Sequence, residues 1–178
     1  MKSFCELFLC SSKELKNVRN LVAAGILMTT GIVLNLFTVP ITPVMRLSLG
    51  FLVSAIIGTL FGPAVGIMCG GLGDIINYLI FPSGPYFPGL TLSGMLAGMM
   101  YGIALYNKKI TVIRCAVVII IVTIVVEILL NTYWLSLLYG KGFYVLLPLR
   151  AAKDLIMIPI KVASIYFLLN MVNRIRNI

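Results

Sequence analysis

Arg150, Lys153, Asp154, Met157 and Lys161 fall within roughly 100° of arc if their segment is helical, because each residue turns an α-helix by about 100°. The other faces of that segment carry Leu, Ile, Val and Ala. In a membrane such a stripe must face protein or water, because charge placed in lipid is costly, and this makes it a candidate functional surface. Its chemistry is ionic. Arg150 and Asp154 can pair at i,i+4, while Lys153 and Lys161 have Asp74 and Glu127 on other helices as possible partners.

A second group is aromatic. The stretch NTYWLSLLYGKGF at 131–143 brings Asn131, Tyr133, Trp134 and Tyr139 together, and FPSGPYFPG at 81–89 adds Tyr86 and Phe87. Trp and Tyr at a helix end serve as interfacial anchors; beside Arg150 they also suit a flat, stacking site. The prolines of 81–89 limit the entropy lost when that connection orders.

Enzyme chemistry finds little footing. There is no histidine, the few acids are scattered, and no nucleophile–base pair is visible. Cys5, Cys10, Cys69 and Cys115 have neither disulfide nor metal-ligand spacing and read as free thiols, with no metal site. YGKGF at 139–143 lacks the glycine a phosphate loop needs at Leu135. The expectation is a transport or binding protein with no catalytic residues and no cofactor.

The elements that must position these residues are membrane helices. Of 178 residues, 61% are hydrophobic and 11% charged, with mean hydropathy +1.10, too apolar for a soluble domain of this length. Six apolar segments, at 18–37, 46–61, 63–81, 91–106, 112–137 and 147–171, approach the length that crosses a roughly 30 Å hydrocarbon core. The second is short and suits a tilted or re-entrant segment. Residues 1–17 read as a cytoplasmic tail, with Ser11 and Glu14 at capping-box spacing, and 18–178 as one six-helix domain. FCELFLC at 4–10 is short, carries Glu6 and lacks a cleavage site, so no signal peptide is expected.

With both termini cytoplasmic, that side holds Lys2, Lys13, Lys16, Arg19, Lys108, Lys109, Arg114, Arg174 and Arg176, and the outer side only Arg46, Lys141 and Arg150. The net charge of +9 is mostly this topogenic bias, and its dispersal argues against nucleic acid as a partner. Helices 2, 4 and 6 then start at the outer face, with Arg46 opening helix 2, Thr91 or Ser93 capping helix 4, and Pro148 with Arg150 opening helix 6. That mouth suits an anion, although ordinary capping accounts for the same residues. Small residues at every fourth position (Gly58, Gly62, Gly66, Gly70; Gly94, Gly98, Gly102) predict close helix–helix seams.

LFGPAVGIMCGGLGDIINYLIFPSGPYFPGLTLSGMLAGMMYG (60–102) and LLNTYWLSLLYGKGFYVLLPLRAAKDLIMIPIK (129–161) resemble the substrate-binding S components of energy-coupling factor (ECF) vitamin transporters, and most closely the folate-specific ones. The resemblance implies a multi-pass protein of the bacterial cell membrane that captures folate or a reduced folate outside. It implies a transmembrane coupling protein and two cytosolic ATPase subunits as partners, and transport by toppling of the whole subunit. Arg46, Arg150 or Lys153 would meet the anionic tail of the vitamin. Trp134, Tyr86 or Phe87 would stack on its rings, with Tyr86 and Phe87 as a lid. Asp154 with Asn131 would read the pterin edge, or Asp154 would only hold Arg150. On helix 1, where the family carries Ala-x-x-x-Ala for docking, Ala24 is followed by Met28, and Gly25–Thr29 is the nearest small pair. An S component for riboflavin or thiamine, or a solo secondary transporter, is the alternative.

Overall fold

The computed structural model describes residues 4–36, 39–42, 45–47, 49–82, 85–108, 110–140 and 143–176. The chain forms α1 (Phe4–Glu14), α2 (Val18–Leu36), a short hairpin of β1 (Val39–Thr42) and β2 (Met45–Leu47), then α3 (Gly50–Ile80) and α4 (Pro88–Leu105). A single long crossing follows, made of α5 (Val112–Val122), a π-helical stretch (Thr123–Leu130) and α6 (Asn131–Tyr139), and α7 (Phe143–Arg176) closes the bundle. It is an all-helical membrane protein apart from the antiparallel hairpin, in which Val39 faces Leu47 and Pro40 faces Arg46. Arg46 therefore opens no helix; α3 starts later, at Gly50.

α3 reverses direction at Gly62. Phe51 and Asp74 line the same cavity, yet they would lie about 35 Å apart on a straight helix rising about 1.5 Å per residue. Gly62 makes the reversal, with φ at +86°, a region that residues with a Cβ rarely adopt. The two halves are the second and third apolar segments, so the five helices among the described residues that are long and apolar enough to cross a membrane account for the six expected segments.

A side chain from far away in the sequence completes that turn. Ser11 Oγ donates to the Phe61 carbonyl at 2.7 Å and accepts the Ala64 and Val65 N–H groups at 3.0 and 3.4 Å. With Pro63 at the first position of the second half, Ser11 thus performs the N-cap role that Gly62, having no side chain, cannot. The expected capping box of Ser11 with Glu14 is not formed. Residues 11–14 are the end of an eleven-residue helix docked on α3, with Leu7 and Ser11 buried. Glu14 instead accepts from Tyr106 Oη at 3.1 Å and from Asn20 Nδ2. Burial first, and the Glu14 carboxylate second, push the Tyr106 hydroxyl up from its ordinary value, which keeps it protonated as the donor.

α3 packs most extensively on α4, along the glycine seam. A Cβ on Gly98 would come within 2.1 Å of the Gly66 carbonyl oxygen, one on Gly70 within 2.4 Å of that of Gly94, and one on Gly58 within 2.8 Å of the Gly102 nitrogen. Only glycine permits this backbone contact. The core around it is Ala55, Ile56, Tyr101 and Leu105 against Cys115, Val118, Ile119, Val122, Ile165 and Leu169. A second cluster joins Ala24 of α2 to Val53, Ile57, Phe61 and Val65.

In detergent, Ser11→Ala should lower unfolding stability by about 1 kcal/mol, as loss of an N-cap does. Gly62→Ala should cost more, because it adds left-handed strain and drives a Cβ to 2.8 Å from Ser11. Thermal unfolding of the two variants checks the order.

Candidate functional site

Asp74 and Asn77 of α3, Asn35 of α2, Glu127 and Asn131 of the long crossing, and Arg150, Lys153, Asp154, Met157 and Lys161 of α7 line one cavity of about 430 Å³. Phe51 and Gly94 complete its wall. A volume of this size falls in the range of small-molecule sites. Two neighbouring cavities share its residues. One of about 260 Å³ runs between α4 and the long crossing, and one of about 200 Å³ between α2 and α3.

The whole ionic stripe of α7 faces this cavity, as its helical spacing requires. Lys153 Nζ lies 2.9 Å from Asp154 Oδ1, off hydrogen-bond geometry, so the ion pair forms while both Asp154 oxygens keep room for a donor. Lys161 bonds Glu127, and its ammonium sits 5.5 Å above the Phe51 ring. The expected acids thus divide: Glu127 takes Lys161, and Lys153 pairs with its own neighbour Asp154. Arg150 is buried within electrostatic reach of Asp154 and Glu127.

Glu127 reaches this position from the π-helical stretch Thr123–Leu130. The wider turn keeps Glu127 and Asn131 on the cavity side while Thr123 and Val126 pack inward. π-turns of this kind recur at functional sites. No proline or glycine lies between 112 and 139, so nothing in the sequence announces it.

Asp74 Oδ2 accepts from Thr91 Oγ1 at 2.7 Å, and Thr91 Oγ1 lies 2.9 Å from Tyr86 Oη. Thr91 therefore does not cap α4. Phe87 stands at the N-cap without a side-chain bond, Pro88 opens the helix, and Ser93 bonds back to the Gly89 carbonyl. Asn35 Nδ2 donates to Asn77 Oδ1 at 3.4 Å.

Of the residues the sequence singled out, Asn131, Arg150, Lys153 and Asp154 come together on the cavity. Phe87 and Trp134 do not line it. Their rings pack on each other at 5.6 Å, and a Cβ on Gly89 would lie 2.5 Å from the indole, so they brace the start of α4 against α6. Tyr86 packs on Tyr78 at 5.1 Å, beside the cavity rather than across it. Ser83 and Gly84 of the connecting loop, Lys109, Lys141 and the Arg46 side chain lie outside the described residues. Ala24 is buried in the α2–α3 cluster and is closed to a partner, whereas Gly25 has open space beside it and Thr29 is exposed. Asn35, Phe51 and Asn77 were missed. The signal for the two asparagines was an amide inside an otherwise apolar span.

The family model for the ECF transporter, substrate-specific component, matches residues 19–169. The folate transporter FolT of Clostridium novyi is 37% identical over 161 residues, spanning 90% of this chain and 94% of that protein. The folate transporter FolT of Leuconostoc mesenteroides subsp. mesenteroides is 31% identical over 160 residues, 86% of each. Among solved structures, the crystal structure of FolT bound with folic acid matches with a TM-score of 0.81 and 32% identity, covering 87% of this chain and 95% of that one.

Lys161→Ala would strand the Glu127 carboxylate inside the bundle and should cost about 3 kcal/mol, the scale for breaking a buried pair. Lys161→Met combined with Glu127→Gln should recover most of it. Thermal unfolding of the single and double variants in detergent reads the difference.

Proposed function

The chain belongs to the substrate-specific components of ECF transporters, and from that premise we propose that it captures folate in the cavity between α3, the long crossing and α7. It is a multi-pass membrane protein and the folate-binding subunit of an ECF importer. The observation that carries the reading is the α7 stripe: Arg150, Lys153, Asp154, Met157 and Lys161 all line a cavity of about 430 Å³, in a chain similar over most of its length to FolT.

Folate is a flat pterin and benzoate joined to an anionic glutamate tail. Pro148 lies inside α7 and so does not open it. Arg150 and Lys153, about two to three turns into the helix, take the tail carboxylates through charge-assisted hydrogen bonds, with Arg46 as a third cation. Asp154 holds the Lys153 ammonium in place. The buried Asn131 Oδ1 has no hydrogen-bond donor among the described residues and accepts one from the ligand. Tyr86, Phe87 and Trp134 shape the rim, the last two by fixing the start of α4.

Both termini are cytoplasmic in this reading. Its support is that Glu14 bonds Tyr106, which brings the exposed Lys13, Lys16 and Arg19 to the same end of the bundle as Lys108. A transmembrane coupling protein docks on α2 at Gly25 and Thr29, where no Cβ would meet another atom within 4 Å at Gly25. Two cytosolic ATPases drive the cycle through that partner, and this subunit supplies binding alone.

Arg150→Ala should weaken folic acid binding about 10- to 100-fold, the scale of a lost hydrogen bond to a charge. Titration calorimetry on the purified subunit measures it, and wild-type affinity would remove Arg150 from the site. Gly25→Leu should leave that affinity intact and abolish uptake by the assembled transporter; undiminished uptake would move the docking face off α2.

A further inference from the structure

Asp74 stands where the three cavities meet, since it lines each of them. The other two carboxylates of the main cavity have cations beside them, Glu127 with Lys161 and Asp154 with Lys153. Asp74 makes no ion pair among the described residues, and its partner is the neutral Thr91 hydroxyl. A carboxylate at membrane depth is costly to keep without a cation or a set of donors, so an unpaired one on a cavity wall calls for a ligand that brings donors.

The hydrogen bonds around Asp74 give it a defined state. Thr91 has one hydroxyl proton and donates it to Asp74, so the Tyr86 hydroxyl must be the donor to Thr91. The chain of donation therefore runs from Tyr86 through Thr91 and ends on Asp74 as an acceptor. One turn further along α3, Asn77 and its partner Asn35 place amide groups on the same cavity. A carboxylate beside amides complements one kind of edge: two adjacent N–H donors flanked by a carbonyl.

Resting on the assignment of this cavity to folate, we infer that Asp74 is the specificity-determining residue that receives the 2-amino-4-oxopyrimidine edge of the pterin. Its carboxylate accepts from the ring N3–H and the 2-amino group, and the Asn35–Asn77 pair meets the 4-oxo group. The ligand then lies across the cavity, its ring on the α3–α4 wall and its tail on the α7 cations. Thr91 is a positioning residue, which holds Asp74 Oδ2 and links it to Tyr86 on the loop before α4.

Asp74→Asn puts a donor where an acceptor is required while keeping the side chain's size. It should weaken folic acid binding about 30-fold, the scale of a hydrogen bond to a charged group, and leave p-aminobenzoyl-glutamate, which has the tail but no pterin, unchanged in a competition assay. Thr91→Val should give a smaller loss with the same selectivity. A 2-desamino-2-methyl folate analogue should lose a similar factor on the wild-type protein, a measurement that needs no variant to fold. Wild-type affinity of Asp74→Asn for folic acid, equal losses for folic acid and the tail fragment, or equal wild-type affinity for the desamino analogue would each overturn the inference. Failure of the wild-type protein to bind folic acid would instead overturn the assignment of the cavity itself.

Discussion

Backbone contact between α3 and α4 is the constraint from which the rest of this structure follows. Gly66 against Gly98 and Gly70 against Gly94 bring two helices closer than any side chain would allow. Lipid offers no hydrophobic force to press helices together, so such contact, with its dispersion energy, is what membrane bundles have to use. The seam sets the register of the two helices. One turn beyond Gly70, Asp74 arrives beside Gly94, with its Cβ 3.7 Å from where a Gly94 Cβ would stand, and within reach of Thr91. The geometry of the polar wall is thus inherited from a stretch with no polar side chain in it.

The seam in turn depends on the reversal at Gly62, without which the first half of α3 could not fold back beside the second. Two requirements meet at that residue. The backbone needs a left-handed conformation, and the new helix start needs an acceptor for its free N–H groups. Glycine meets the first and thereby forfeits a cap of its own. Ser11 meets the second from an amphipathic helix about fifty positions earlier, and Glu14 on the same helix ties it to the end of α4 through Tyr106. α1 is therefore a clamp on the turn as much as an appendage of the bundle.

Two of the three carboxylates that line the cavity are matched there by lysines. Lys161 with Glu127 and Lys153 with Asp154 make neutral couples, so the cavity holds ionic side chains without a large uncompensated field. Beside these couples the cavity presents the Arg150 guanidinium on α7 and, on α3, a carboxylate held by a threonine. A long molecule with an anionic end and a donor-rich end fits that division, as folate does.

Composition and spacing alone established a helical membrane protein, the α7 stripe and the glycine seams, because lipid solvation and the 3.6-residue period act on the sequence directly. Residues of one helix can be assigned to one face without knowing the neighbours. What required the tertiary structure was every relation between distant segments: Ser11 capping the turn at Gly62, Glu127 rather than Asp74 pairing with Lys161, and Trp134 bracing α4 instead of lining the cavity. The same holds for Ala24, which spacing offered to a partner and packing buried against α3. Such pairings are decided by which side chains the bundle brings within a few ångströms, and that distance is a property of the packed helices that no local pattern encodes.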